Sequence, residues 1–448
     1  MGINIAIVTL GCPKNVVDTE MMLGLIKNAG YNIIDDYSRA EVIVVNTCGF
    51  IKPAKEESID TILRAADYKK NGKCRKLIVA GCLGQKYQKD LAAEIPEIDA
   101  VLGTGDVHAI VEHLHNCLQG RKINAAGQPD YDLIFGQQKN HPRVLTTQKH
   151  TAYLKIAEGC NNRCSYCVIP DLRGSYYSRE MEQIIAEAES LVAAGTKEII
   201  LIAQDTTRYG LDRYNEKKLA DLLVKLNEIP QLEWLRILYS YPDLLDEKIL
   251  ATIRDRSKIC HYLDIPLQHA SNRILHQMNR LTTKEGAINT VSKIRKILPD
   301  VALRTSFIVG FPGETEQDFQ ELLDFMELVR FDWVGLFIYS QEEGTPAAQM
   351  RDQVPEALKQ KRYNSALDLQ QRITVEKHAE MRNKEFEILV EGPSDILPGM
   401  LMGRSYRNAP EIDGLIHFTG SAVTGSLTRV KIMDSLGYDL TGIELTAQ

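Results

Sequence analysis

Three cysteines in one short loop constrain this chain more than any other feature of its sequence. The run Gly-Cys-Asn-Asn-Arg-Cys-Ser-Tyr-Cys places Cys160, Cys164 and Cys167 at a Cys-x3-Cys-x2-Cys spacing. Such a loop can hold one corner of a four-iron four-sulfur cluster and leave the fourth iron without a protein ligand, as a reaction site. The alternative is a structural or zinc-binding role. Zinc would need a fourth cysteine or histidine nearby, and residues 168–257 contain neither.

Three further cysteines follow strand-like segments in the first third of the chain. The predicted strands are Ile3–Leu10, Glu41–Asn46 and Arg75–Ala80, and the cysteines that follow them are Cys12, Cys48 and Cys82. Helical segments separate these strands, so the strands should form a parallel sheet. Because parallel strands end at one edge of a sheet, we expect the three cysteines to converge there. A second cluster explains this pattern better than the alternative, in which they are ordinary small buried residues.

The remaining cysteines and the composition indicate the compartment. Cys74, Cys117 and Cys260 do not follow strand ends, so we interpret them as structural. An odd total of nine cysteines with metal-type spacings favours reduced thiolates in a reducing compartment. Because there is no secretory leader and no apolar run long enough to cross a bilayer, we expect a cytoplasmic protein without a membrane partner.

The middle of the chain repeats a strand–helix unit six times. The predicted strands are Tyr153–Ala157, Glu198–Ala203, Trp234–Tyr239, Tyr262–Ile265, Ala302–Val309 and Trp333–Tyr339. Six such units predict a partial barrel of parallel strands, with chemistry at the carboxyl ends of the strands. The cysteine loop follows the first of these strands, which agrees with that placement.

The fold class is therefore α/β, with several domains. We predict an N-terminal parallel α/β sheet domain at 1–118, a linker at 119–145, a partial (β/α)6 barrel at 146–376 and a small antiparallel β-barrel at 377–448. The linker is rich in Gly, Gln, Asn and Pro. Four short strands are predicted in the last domain, at Phe386–Glu391, Met400–Tyr406, Gly414–Phe418 and Leu427–Met433.

Charge indicates what kind of partner the last domain binds. The whole chain carries a net charge of −7, which gives no general reason to expect nucleic-acid binding. Residues 382–448 contain six Lys and Arg but nine Asp and Glu, a local charge of −3. An RNA-binding surface should be basic, so direct RNA binding is not expected and a basic protein is the better partner.

The cysteine loop, with Tyr166 before its last cysteine, resembles the radical S-adenosylmethionine (SAM) superfamily. Motifs along the whole chain resemble the methylthiotransferase branch of that superfamily, and within it the enzymes that modify a ribosomal protein. The motifs are Thr9-Leu-Gly-Cys-Pro-Lys-Asn15, Asn46-Thr-Cys-Gly-Phe-Ile51, Arg304-Thr-Ser-Phe-Ile-Val-Gly-Phe-Pro-Gly-Glu314 and Gly403-Arg-Ser-Tyr-Arg-Asn-Ala-Pro-Glu-Ile-Asp-Gly414. The last of them lies in a domain that resembles the TRAM module.

The resemblance implies two four-iron four-sulfur clusters and SAM as cofactors. Cys160, Cys164 and Cys167 would bind the cluster that cleaves SAM, and Cys12, Cys48 and Cys82 would bind an auxiliary cluster. Polar residues near the ends of the barrel strands are candidate SAM contacts, with Arg304 for the carboxylate. The other candidates are Tyr166, Gln204, Asp205, Gln268 and Gly310. Alternatively, Asp205 caps the following helix and Gln268 packs internally.

The implied reaction puts a methylthio group on the β-carbon of an aspartate in small-subunit ribosomal protein S12. The implied partners are that protein or the small ribosomal subunit, and an electron donor such as flavodoxin or ferredoxin. Two alternatives remain open. The chain could be a tRNA adenosine methylthiotransferase, or an iron–sulfur electron carrier without radical chemistry.

Overall fold

The computed structural model describes residues 2–136 and 142–445. The first domain is a six-stranded parallel sheet in the order β2-β1-β3-β4-β5-β6. Its strands are β1 (Asn4–Thr9), β2 (Asn32–Ile33), β3 (Val42–Thr47), β4 (Lys76–Gly81), β5 (Ala100–Leu102) and β6 (Ile123–Ala125). Its helices are α1 (Pro13–Asn28), α2 (Lys52–Asn71), α3 (Cys82–Glu94) and α4 (Ile110–Leu118). The three predicted strands are confirmed, because their β-branched side chains are buried on both faces of the sheet.

Part of the predicted linker at 119–145 is ordered structure. Strand β6 lies in it and pairs with β5, and α5 (Tyr131–Gly136) follows. Three residues are too few to show a strand periodicity, so the pairing with β5 decides the conformation. Residues 137–141 of this segment lie outside the described residues. The predicted domain boundaries stay a prediction.

The second domain is the partial barrel that the sequence predicts. Two parallel three-stranded sheets, β11-β10-β7 and β12-β13-β14, are joined by a bridge between Leu235 and Ile259. The strands are β7 (Thr151–Lys155), β8 (Ala157–Glu158), β9 (Tyr177–Ser178), β10 (Glu198–Ile202), β11 (Trp234–Ile237), β12 (Tyr262–Asp264), β13 (Ala302–Val309) and β14 (Trp333–Ile338). The helices are α6 (Ile169–Arg173), α7 (Met181–Ala193), α8 (Leu219–Asn227), α9 (Glu247–Asp255), α10 (Asn272–Gln277), α11 (Lys284–Ile297) and α12 (Glu316–Val329).

The last domain is a closed barrel of five strands, one more than predicted. Helix α13 (Glu356–Ala379) leads into it. The strands are β15 (Glu385–Pro393), β16 (Leu401–Arg404), β17 (Ile416–Thr419), β18 (Leu427–Leu436) and β19 (Asp439–Glu444). The missed strand β19 carries little apolar pattern of its own, but it pairs with both β17 and β18 and so closes the barrel. Within the described residues, no helix combines the length and apolar character needed to cross a bilayer.

The small barrel docks at the amino-terminal ends of the large barrel's strands. Arg404 donates to Glu198, the first residue of β10, at 2.6 Å, and Arg236 donates to the same carboxylate at 2.7 Å. The Trp333 indole, at the start of β14, donates to the Arg407 carbonyl. Arg404, Glu198 and Arg236 are buried, and a buried charge is tolerated only when it is paired. These ion pairs therefore fix the small barrel at the end of the large barrel opposite the cysteine loop.

Replacing Arg404 by Met should loosen this interface, because the Glu198 carboxylate would stay buried with one partner fewer. Breaking a buried ion pair costs about 3–5 kcal/mol, which denaturant unfolding at pH 7 should measure. Burial raises the pKa of Glu198, but Arg404 and Arg236 outweigh it and lower that pKa from 4.5 to about 2. The free energy of unfolding that these Glu198 ion pairs contribute is therefore fully present above pH 4.5. It is lost as the pH falls toward 2. Arg429→Met, at an exposed pair with Glu385, is the matched control and should cost under about 1 kcal/mol.

Candidate functional site

The loop with three cysteines begins where the first barrel strands end, after β8. Gly159 takes a φ of +69°, and a Cβ atom there would lie 2.0 Å from the Ser175 carbonyl oxygen. Only glycine fits this turn. The loop then places Cys160, Cys164 and Cys167 half-buried at the carboxyl end of the barrel. This is the position predicted for them from the sequence.

Each sulfur of this loop accepts an N–H hydrogen bond. The contacts are Asn162 N to Cys160 Sγ at 3.4 Å, Ile169 N to Cys167 Sγ at 3.5 Å and Arg280 Nη1 to Cys164 Sγ at 3.8 Å. Such donors stabilise thiolates, the form that binds iron. Burial raises the pKa of the Cys167 thiol to about 12, and the neighbouring Cys164 adds to the rise. Bound iron would hold these side chains as thiolates, and the donor set fits an iron–sulfur cluster.

The three cysteines of the first domain converge as predicted. A Cβ atom at Gly11 would lie 2.7 Å from the Cys48 Cβ and 3.1 Å from its sulfur, so the ends of β1 and β3 are in contact. Burial raises the pKa of the Cys48 thiol to about 12, and both Cys82 and Cys12 raise it further by their negative charge. The three thiols are thus close enough to interact electrostatically at one edge of the sheet.

Helix geometry and one arginine favour thiolates at this second set. Cys12 is the N-cap of α1 and Cys82 is the first residue of α3, where helix dipoles stabilise negative charge. The positive charge of Arg173 also opposes the rise that burial imposes on the pKa of the Cys82 thiol. Among the described residues, no three potential ligands are close enough to hold a single metal ion. Three thiols form a donor set that fits one corner of an iron–sulfur cluster.

Arg173 joins the two cysteine sets. It lies in α6, six residues after Cys167, and its fully buried guanidinium reaches across to the first domain. It donates to Glu158 at 2.9 Å, to the Asn15 amide oxygen at 2.8 Å and to Asp18 at 3.0 Å. Lys155 also donates to both carboxylates, Asp18 and Glu158. This charged network places the auxiliary cysteines over the carboxyl end of the barrel.

Lys14 is a second cation at the same interface. Its ammonium lies 3.2 Å from the centroid of the Tyr239 ring, at the end of β11, and the residue is only 7% exposed. Burial lowers the pKa of Lys14 to about 8, although the nearby Cys12 opposes this change. The side chain therefore extends from the auxiliary cysteines toward the barrel interior.

The predicted SAM contacts Gln204, Asp205 and Gln268 lie at the carboxyl ends of β10 and β12. Gln204 donates to Glu158 at 3.2 Å. Asp205 accepts from Asn162 at 3.2 Å, and burial raises the pKa of its carboxyl. Gln268 is half-buried with a φ of +74°. These side chains are near the cysteine loop, but no bound molecule tests their roles, which stay predictions.

The other three predicted contacts have protein partners. Tyr166 packs beside Ile274 and Phe311, with its hydroxyl near Cys164. Arg304 lies inside the barrel, 3.0 Å from Asp264 and 3.5 Å from Asp413, so a SAM carboxylate would have to replace one of these. A Cβ atom at Gly310 would lie 2.3 Å from the Lys359 side chain, so helix packing already requires that glycine.

The sequence did not identify four further residues of this site. Lys14 lies in the Cys-Pro-Lys-Asn motif, which signalled a resemblance but no role, while Glu158 precedes the cysteine loop. Arg173 and Arg280 gave no signal, because an isolated arginine has no characteristic spacing. The predicted structural cysteines Cys74, Cys117 and Cys260 all lie in hydrophobic cores.

Family models match three parts of the chain. The model of the Radical SAM superfamily matches residues 154–326, that of the Uncharacterized protein family UPF0004 matches residues 4–103, and that of the TRAM domain matches residues 384–443. Together with the partial barrel and its cysteine loop, these matches define a radical SAM enzyme, specifically a methylthiotransferase.

Curated relatives identify the family within that class. The "Ribosomal protein uS12 methylthiotransferase RimO" of Pelotomaculum thermopropionicum is 52% identical over 99% of both chains. The protein of the same name from Desulforamulus reducens is 49% identical over 98% of this chain and 99% of its own. This chain therefore belongs to the ribosomal protein uS12 methylthiotransferase RimO family.

Solved structures support the fold. The radical SAM methyltransferase TsrM from Kitasatospora setae, with tryptophan and a SAM analogue bound, has a TM-score of 0.59 at 13% identity. The similarity covers 83% of this chain and 89% of that one. The cobalamin- and [4Fe-4S]-bound form of the same enzyme has a TM-score of 0.57 at 15% identity, over 78% of this chain and 77% of that one. At these identities the comparison shows a common architecture.

Iron content should distinguish two cluster sites from one. We expect about eight irons per chain after anaerobic reconstitution, and about four in either Cys48→Ala or Cys164→Ala. Cys117→Ala is the matched control, because Cys117 lies in a hydrophobic core, and it should keep the wild-type count. Equal iron content in wild type and Cys48→Ala would contradict an auxiliary cluster site.

Proposed function

We propose that this enzyme attaches a methylthio group to the β-carbon of an aspartate in small-subunit ribosomal protein uS12, with two four-iron four-sulfur clusters and SAM. The observation that carries the proposal is the pair of three-cysteine sets, brought to one interface by Arg173 and its partners. The printed name of the relatives supports the ribosomal substrate.

Cys160, Cys164 and Cys167 would hold the cluster that cleaves SAM, and Cys12, Cys48 and Cys82 the auxiliary cluster. When bound, the first cluster supplies an electron for reductive cleavage of SAM and the second supplies sulfur, which is chemistry that side chains alone cannot perform. Two clusters explain two separate thiol sets on facing domains better than one cluster does. The protein would contribute by holding both clusters close to the β-carbon of the target aspartate.

Several side chains are suited to position SAM. The Gln204 Oε1 atom is buried and has no hydrogen-bond donor within the described part of the chain, so it can accept from the SAM amino group. Asp205 follows β10 and Gln268 follows β12, both at the carboxyl end of the barrel, and their side chains can bind amine or ribose. Tyr166 and the apolar residues behind it exclude water from the loop. Arg304 and the Gly310 backbone complete the proposed set.

The small C-terminal barrel is suited to recruit the basic ribosomal protein. Of its cations, Arg404 is buried against Glu198 and Arg407 pairs with Asp332, so both are taken up by the domain interface. The interface also takes up two carboxylates, Asp413 against Arg304 and Glu391 against Arg404, so the exposed part of the domain keeps the charge of −3 counted from the sequence. Such a surface attracts a basic protein and repels nucleic acid, so we propose a protein partner rather than RNA.

The proposal includes the compartment and the reductant. Ribosomal protein is modified in the cytoplasm, which is where we place this enzyme. A low-potential carrier such as flavodoxin or ferredoxin would reduce the clusters.

Deletion of the gene should remove a methylthio group from uS12, which intact-protein mass spectrometry would detect. The tRNA of the same strain, digested and analysed in parallel, should be unchanged. If the tRNA modification disappears and uS12 keeps its mass, the chain is instead a tRNA methylthiotransferase.

The two cysteine sets should separate two activities. Cys164→Ala should abolish the formation of 5′-deoxyadenosine from SAM, because that set holds the open iron. Cys48→Ala should still form 5′-deoxyadenosine but should not add sulfur to uS12. Chromatography of reduced, anaerobic reactions measures both products. An electron carrier without radical chemistry would give no 5′-deoxyadenosine even in the wild type.

Charge reversal should test recruitment by the small barrel. Glu387 and Asp434 are exposed on β15 and β18, and replacing both by Lys should raise KM for uS12 several-fold, most strongly at low salt. The control reverses Glu182 and Glu189, which are exposed on α7 of the large barrel. Similar KM values for the two double variants would contradict recruitment by this surface.

A further inference from the structure

We infer that Lys14, held on the ring of Tyr239, binds the side-chain carboxylate of the substrate aspartate. This inference rests on the proposed function, and it assigns the residue that selects an acidic target. Lys14 is only 7% exposed, and its ammonium lies on an aromatic ring without a carboxylate partner among the described residues. It also interacts electrostatically with the Cys12 sulfur, which the proposed function assigns to the auxiliary cluster. Burying an unpaired ammonium is unfavourable, so the site is built for an anion that arrives with a ligand.

The nearby carboxylates already have other partners. Glu158 accepts from Arg173 and Lys155, and Asp264 accepts from Arg304 at 3.0 Å. Within the described residues, no carboxylate lies within ion-pair distance of the Lys14 ammonium. The carboxylates around Lys14 are thus paired with other cations. Apart from its electrostatic interaction with Cys12, the ammonium can donate to a carboxylate that arrives with the substrate.

The position of Lys14 matches the place where the target carbon must lie. Lys14 is two residues after Cys12, in the first turn of α1, while Tyr239 follows β11 at the carboxyl end of the barrel. Their contact therefore spans the gap between the auxiliary cysteines and the barrel. An aspartate carboxylate bound here has its β-carbon one bond away, in the same gap.

The aromatic ring explains how Lys14 can bind a ligand and remain ordered without one. A cation on the face of a tyrosine is attracted by the ring electrons. The ring contacts one side of the ammonium, so N–H groups on the other side stay available to a carboxylate. The reaction leaves that carboxylate unchanged, so Lys14 binds and orients the substrate.

The test compares uS12 with a form that has asparagine at the target position. Anaerobically reconstituted holoenzyme should bind the aspartate form at least about tenfold more tightly than the asparagine form, measured by titration calorimetry. In Lys14→Met the affinity for the aspartate form should fall to that for the asparagine form. Lys27→Met, an exposed lysine on the same helix, should keep the wild-type ratio.

Each outcome decides the inference. If Lys14→Met weakens both forms by the same factor, or if the wild type does not distinguish them, the inference is wrong. Should Lys14→Met lose iron, Lys14→Arg keeps the charge and should retain most of the preference; its loss there, with iron intact, also contradicts the inference. Failure of the proposed function would instead appear as wild-type enzyme that neither binds nor modifies uS12.

Discussion

The arrangement of this site depends on a buried guanidinium. Arg173 is fully buried between two domains, where an unpaired charge would be strongly destabilising. Its partners, Asp18 and Asn15 from the first domain and Glu158 from the barrel, satisfy it only when the two domains are docked. The positive charge of the same side chain lowers the pKa of the Cys82 thiol against the effect of burial. The residue that docks the two domains therefore also favours the thiolate form of an auxiliary cysteine.

Much of the fold follows from local sequence patterns. The longest apolar strand was predicted to the residue, as β13 shows, because its pattern extends over eight residues. Short elements were not. Strands β6 and β19 take their conformation from neighbours that are distant in sequence. Helix α3 has non-helical backbone angles at Tyr87, so the helical pattern is interrupted within it.

Some residues of the site could also be predicted from the sequence, and others could not. The six cysteines were predictable because spacing and strand ends are visible in the sequence. Arg173 and Lys14 were not, since each acts through contacts with another domain, as Lys14 does with Tyr239. Gly310 was predicted as a site residue because glycine permits close approach of a ligand. Packing against the Lys359 side chain already requires glycine there, so the sequence signal has another explanation.

The docking of the small barrel has a geometric consequence. Arg404 and Arg407 fasten it to the amino-terminal ends of the large barrel's strands, whereas the thiols lie at the opposite ends. A strand of eight residues such as β13 is about 26 Å long. A substrate that is bound by the small barrel and modified near the thiols must be at least that long. Under the proposed recruitment by the small barrel, a folded macromolecule can contact both ends of the large barrel at once, whereas a small fragment cannot.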